Sequence, residues 1–349
     1  MKDLRPRDLF NLSFRQELRA RLDSGPVVLL APVGAGAEDL ALAEVERAKH
    51  AVLLKPTVGS APAEAISSTV AQVVHDIEPM GVSTFDGNDG RTRRALLALA
   101  RRYGSKAALA LDVARGGNSA GWTLADALGT TIHERPGTPV LVAITNAHRL
   151  PGSLLWELRD LANDGQARVL LTTHAEHAEG LLGAKAPLYG NATSVELPEP
   201  VTGDWARKLH MPRDSPEIQA LLIHTRARAA STIEVAAFRE LGMSVSLAWQ
   251  RAINSRASEA ENVLNLAATL NVYAPRLLIA IANEAAPYGA ITGAPSQRVA
   301  RALAKLRDVD LIERGTLRTW QIADPVLHGA LLMCTSPYPP NRTGSSASP

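Results

Sequence analysis

The sequence predicts an α/β protein: a parallel-sheet core, then an all-helical stretch, then a small C-terminal module. Three observations carry this. Short apolar runs, β-branched and bounded by Pro or Gly, recur between residues 26 and 200. The first two runs enclose a helical segment, and a strand–helix–strand unit places its strands in parallel. Beyond residue 200 the apolar period becomes helical, until a strand signal returns at Thr319-Trp320-Gln321-Ile322.

Each element can be justified in chain order. Residues 1–25 read as a polar arm and helix ending at Ser24-Gly25-Pro26. Val27-Val28-Leu29-Leu30 is a buried strand bounded by Pro26 and Pro32. A small-residue turn leads into a helix from Ala37 to Ala48, and Ala51-Val52-Leu53-Leu54 is the next strand. Residues 61–136 read as mostly helical, with a weaker strand candidate at Ala107–Val113. Pro139–Ile144 is the clearest buried strand. The helix Ser153–Ala162 carries Leu154, Leu155, Leu158 and Leu161 on one face. Ala167–Thr173 and Ser194–Leu197 complete the sheet, the latter stopped by Pro198. The resulting organisation is an arm (1–25), an α/β core (26–200), a helical segment (201–258), a C-terminal module (259–335) and a Pro/Gly/Ser-rich tail (336–349) expected to be disordered.

Composition narrows the task. Across 349 residues, 37 Lys+Arg against 35 Asp+Glu give a formal charge of +2, which excludes a globally basic nucleic-acid coat but not a local patch. A single cysteine, Cys334, excludes a disulfide framework and a thiolate zinc site. No stretch reaches the roughly 18 apolar residues of a membrane helix, and the N-terminus lacks a signal-peptide pattern. These features fit a cytoplasmic protein without a membrane partner.

The turn after the first strand sits where a phosphate loop would. That loop reads G-x-x-x-x-G-K-[ST]: its glycines expose backbone N–H groups to phosphate, its Lys reaches the β/γ-phosphates and its hydroxyl holds Mg²⁺. Here the octet is Ala31-Pro32-Val33-Gly34-Ala35-Gly36-Ala37-Glu38. Gly36 is kept, Ala37 stands at the Lys position and Glu38 at the hydroxyl position. A second strand ends Ile144-Thr145-Asn146-Ala147-His148-Arg149-Leu150, neutral where an ATPase carries two acids. A third ends Thr172-Thr173-His174, similar to a sensor position.

In its order of strand, turn, helix, strand pair, helical segment and C-terminal module, the chain resembles the AAA+ ATPases of the origin-recognition and archaeal STAND-like type. Trp320-Gln321-Ile322-Ala323-Asp324-Pro325 is similar to the hydrophobic-x-Asp-Pro ending of their winged helix. The resemblance covers most of residues 26–332. It implies a P-loop-type parallel sheet core, a helical lid at 201–258 and a winged helix at 259–335. It also implies a nucleotide site at Gly34, Gly36, Ala37, Glu38, Thr145, Asn146 and Thr173, and the possibility of a ring or other protein partner.

Every position that would carry the chemistry departs from the family. Without the Lys and both carboxylates, neither Mg²⁺ nor the charge developing on a transferred phosphoryl group is stabilised. Glu38 and Asp39, in the first helical turn, would repel a phosphate there. The expectation is a pseudo-ATPase without a cofactor, ATP and Mg²⁺ being disfavoured. The alternative is an ATP-binding or ATP-hydrolysing regulator with unusual loop chemistry.

A competing signal is Gly117-Asn118-Ser119-Ala120-Gly121, which matches the G-x-S-x-G nucleophile elbow. A serine hydrolase there would draw its base from His148, His174, His177 or His210 and its acid from Asp160, Asp164 or Asp204. No strand runs directly into the motif and no oxyanion sequence precedes it, so a Gly/Ser loop with a helix cap is the plainer reading. His174 and His177 read as a surface pair with no third ligand at metal-site spacing.

The C-terminal module carries the nucleic-acid signal. Ser296 is expected to cap a helix over 297–309. Val299, Ala302, Leu303 and Leu306 form its apolar face, and Arg298, Arg301 and Lys305 fall opposite, with Gln297 near its start. The turn 313–318 makes a wing carrying Arg314 and Arg318. Gln297 and Arg298 suit base edges, whereas Arg301, Lys305, Arg314 and Arg318 suit phosphates. Asp308, Asp310 and Glu313 dilute the patch. The leading expectation is a non-catalytic protein that binds double-stranded DNA, or acts as a scaffold, through this module.

Overall fold

The computed structural model describes residues 4–48, 51–54, 139–150, 152–315 and 319–335. The chain divides into two compact units. One is built on residues 10–32 and 36–198, the other on residues 199–335 with 4–9 and 33–35.

The first unit holds a five-stranded parallel sheet. Its strands are β1 (Val27–Leu30), β2 (Ala51–Leu54), β3 (Val140–Ile144), β4 (Ala167–Thr173) and β5 (Thr193–Glu196), in the order β2-β3-β4-β1-β5. Strands covered on both faces read as continuous apolar runs. Accordingly Val27, Val28, Leu29, Val142, Ala143, Ile144, Val169, Leu170 and Leu171 are all wholly buried. The edge strand β5 buries only Val195. It lies one residue earlier than expected, and Leu197 N–H still donates to Leu30 O at 2.8 Å.

Helices frame the sheet. In α1 (Leu12–Ser24), Asn11 accepts the Phe14 N–H at 2.8 Å as N-cap, and Leu18 and Leu22 are buried. Glu44 of α2 (Ala37–Arg47) is buried and accepts two bonds from Arg19 of α1, at 2.7 and 2.8 Å. The next helix, α3 (Gly152–Asn163), buries Leu155 and Leu158 as its period predicted. The helical region 61–136 and its strand candidate Ala107–Val113 lie outside the described residues.

In the second unit, one hydrophobic core runs from Trp205 to Leu331, through both the helical segment and the C-terminal module. Its elements include α4 (Ala229–Arg239), α5 (Val245–Ser255), α6 (Ala257–Leu270), α7 (Ala274–Ala282) and α8 (Ser296–Asp308). An antiparallel hairpin of β6 (Ile312–Arg314) and β7 (Trp320–Ile322) follows, then α9 (Pro325–Thr335). The expected Ser296 cap is corrected. Ser296 is the first helical residue, and Pro295, at φ −60° and ψ 135°, is the cap without a side-chain bond. The proline ring fixes φ near that value, so the chain enters the helix one residue earlier.

Candidate functional site

In open α/β sheets, ligands bind beyond the carboxyl ends of the strands, where the strand order reverses. Here that is the end of β1, flanked by β4 and β5. Ala31 N–H donates to Thr173 O at 3.0 Å and ties the two strand ends together. In the turn that follows, Gly34 and Gly36 sit at φ 70° and 101°, a left-handed backbone that glycine adopts without steric cost. Gly34 groups with the second unit, and its carbonyl accepts the Ala230 N–H at 3.0 Å. Gly36 caps α2, and the methyl of Ala37 is buried behind it.

The exposed carboxylate of Glu38 accepts a 2.9 Å hydrogen bond from Asn146 Nδ2. Asn146 itself is left-handed at φ 52°, a conformation asparagine tolerates, and its N–H donates to Thr172 Oγ1 at 3.3 Å. Thr145 and Thr173 are buried. The residues read as the remains of a Walker pair thus meet as an amide and a carboxylate, 108 positions apart in the chain.

Three imidazoles gather at the same strand ends, which corrects the reading of His174 and His177 as a surface pair. His148 lies in the 3₁₀ turn after β3, whereas His174 and His177 follow β4. His148 stacks on His177 with ring centres 4.0 Å apart and planes 7° from parallel. His174 stands 5.8 and 6.2 Å from the two. The three are half-buried. His148 Nδ1 is 3.1 Å from Thr173 Oγ1, and His174 Nδ1 is 2.9 Å from Ala31 O.

The other expected surface lies on α8. Val299, Ala302, Leu303 and Leu306 are buried, and Gln297, Arg298 and Arg301 are exposed. Lys305 is also exposed, but its Nζ donates to Leu270 O at 2.8 Å, so it serves the C-terminal end of α6. Arg314 lies over the Trp320 ring, 3.7 Å from its centre. Glu313 accepts from Arg228 at 2.6 Å and from Gln321 at 2.8 Å, so its charge is already paired. Arg318, Ser119 and the rest of Gly117–Gly121 lie outside the described residues.

No family model and no curated protein matches the sequence. Solved structures do match. A Walker-type ATPase of Pyrococcus abyssi superposes at a TM-score of 0.55 with 16% identity, over 94% of this chain and 97% of that one. The Aeropyrum pernix Orc1 protein, solved in complex with DNA, superposes at 0.50 with 12% identity, over 92% and 91%. The chain has a P-loop-type α/β fold. At these identities the likeness shows fold alone, and the chemistry must be judged on the residues present.

The residues at the turn and strand ends differ from those with which a P-loop holds a magnesium–nucleotide. The apolar Ala37 stands where this fold places a cation for the phosphates. The carboxylate of Glu38 replaces the metal-holding hydroxyl and is engaged by Asn146. The two positions that should supply carboxylates are Thr145 and Asn146.

A group missed in the sequence stiffens the second unit. Asp324, within the hydrophobic-x-Asp-Pro ending, accepts the Val326 N–H at 2.8 Å, the Ser231 hydroxyl at 3.2 Å and Arg256 Nη1 at 3.0 Å. Arg256 also binds Glu234 at 2.6 Å and Glu259 at 3.0 Å. Burial alone would lower the pKa of Arg256. The hydrogen bond to Glu234 and the charges of Asp324, Glu234 and Glu259 outweigh burial and raise it. Asp324 was readable as a helix cap, since Asp before Pro at a helix start is a local signal. Its partner 68 residues away was not. Among the described residues no helix is long and apolar enough to cross a membrane.

Proposed function

We propose that this chain binds double-stranded DNA through its C-terminal module, acting as a winged helix, and that its strand-end cleft does not hydrolyse ATP. The outer face of α8 carries the reading: Gln297, Arg298 and Arg301 are exposed while the opposite face is buried. A recognition helix enters the major groove with its N-terminal residues at base edges. Gln297 and Arg298 stand in the first turn and suit that contact. Arg301, one turn on, and Arg314, on the hairpin, suit phosphates. The DNA-bound Aeropyrum pernix relative in fold supports the assignment. The amide–carboxylate pair of Asn146 and Glu38 supports the absence of turnover.

Fluorescence anisotropy with a labelled duplex tests the proposal. Binding is expected at about 50 mM salt, and Arg301→Ala should reduce the slope of log K against log salt by about 0.9. No duplex binding at that salt would refute the reading.

A further inference from the structure

We propose that the turn Thr225–Arg228 positions the β6–β7 hairpin, Arg226 and Arg228 acting as positioning residues that hold its two strands so that Arg314 is presented to a duplex. The purpose of this hold rests on the reading of the module as a DNA-binding winged helix. The first support is the backbone of the turn. Arg226 and Ala227 are consecutive left-handed residues, at φ 50° and 54°. A Cβ makes that conformation costly, and it persists only where the surroundings hold it. Here the buried hydroxyls of Thr225 and Thr232 lie 2.7 Å apart, and the Arg228 N–H donates to Thr225 O at 2.9 Å.

The second support is what the side chains of the turn reach. Arg226 Nη1 donates to Ile322 O on β7 at 2.7 Å, and its Nη2 donates to His328 Nδ1 at 3.2 Å. A guanidinium only donates, so His328 Nδ1 accepts and its Nε2 carries the proton given to Ala282 O at 2.7 Å. Arg228 Nη2 donates to Glu313 Oε1 on β6 at 2.6 Å, and Gln321 Nε2 on β7 reaches the same oxygen at 2.8 Å. The two partners of that ion pair are only 15% and 13% exposed. A two-stranded hairpin is marginal by itself, and these contacts fasten both of its strands. Glu313 pairs with Gln321 and Arg314 with Trp320, and successive strand residues point to opposite faces. Fixing Glu313 against Arg228 therefore turns Arg314 to the other face, where it is exposed and lies over Trp320. Arg226 and Arg228 are committed to the hairpin and serve no phosphate.

The test is hydrogen exchange of the full chain, read by mass spectrometry over residues 312–322, together with duplex anisotropy. Arg228→Gln should speed exchange of the hairpin amides about 10-fold or more, the effect of one lost charge-assisted hydrogen bond, while residues 296–308 stay unchanged. Glu313→Gln, nearly isosteric, should loosen the hairpin in the same direction and serves if Arg228→Gln fails to fold. In duplex binding, Arg314→Ala should lower the slope of log K against log salt by about 0.9 in the wild type, and by about half that or less in Arg228→Gln. Exchange reads the hold on the hairpin whether or not DNA binds. A loosened hairpin in a protein that does not bind duplex therefore removes the DNA reading and keeps the hold. Unchanged hairpin exchange in both variants would overturn the proposal. So would additive slope losses from Arg228→Gln and Arg314→Ala, which would make Arg228 itself a phosphate contact.

Discussion

The strand ends of the sheet and the outer face of α8 treat polar groups in opposite ways. At the strand ends they are turned on one another: Glu38 on Asn146, His148 on Thr173, His174 on Ala31. On α8, Gln297, Arg298 and Arg301 face solvent, and the nearby acid Glu313 is held by Arg228. In a fold shared with a Walker-type ATPase, Glu38 and Asn146 at the strand ends bond to each other. Shared fold and shared chemistry are separable, because chemistry belongs to a few side chains placed on the fold.

The contrast between cations that build and cations that bind can be tested directly. The largest effect is expected at Arg256, whose removal leaves Glu234 and Asp324 half-buried without their counter-charge. Arg256→Ala should lower the unfolding free energy by about 3 kcal/mol in a urea titration. Arg256→Lys should recover only part, because an ammonium cannot reproduce the forked contacts. Arg298→Ala, on the exposed face, should stay within about 0.5 kcal/mol of wild type. Equal losses at the two positions would erase the distinction.

A second experiment attempts to undo the substitutions in the cleft. The double change Ala37→Lys with Glu38→Thr returns a phosphate-binding cation and a metal-holding hydroxyl. It should raise MgATP affinity by calorimetry while turnover stays at background, because Thr145 and Asn146 supply no carboxylate. Turnover in the double variant, or in the wild type, would contradict the account of the site. A smaller effect is expected for Glu38→Ala, which loses one exposed amide–carboxylate bond. It should cost about 1 kcal/mol at most and leave duplex binding unchanged.

Much of the fold was legible because its signals are local. Val27–Leu30, Val140–Ile144 and Ala167–Thr173 are unbroken apolar runs, which fully covered parallel strands must be. Helix α8 was legible from the period of Val299, Ala302, Leu303 and Leu306. The start of that helix was misplaced by one residue, because the fixed φ of Pro295 outweighed the capping preference of Ser296. The imidazole cluster was hidden for a different reason. His148 and His177 are 29 positions apart, and they meet only because β3 and β4 are neighbours in the sheet. Lys305 shows the same limit: its place on the polar face was readable, but the carbonyl of Leu270 that it reaches was not.

The most direct test of the central claim is duplex DNA affinity across a salt series for the wild type, for Arg298→Ala with Arg301→Ala, and for Glu38→Ala. The account predicts that the wild type binds at about 50 mM salt, that the double arginine variant loses close to two from the slope of log K against log salt, and that Glu38→Ala follows the wild type. A double variant with the wild-type slope, or a wild type that does not bind duplex DNA at that salt, would contradict it.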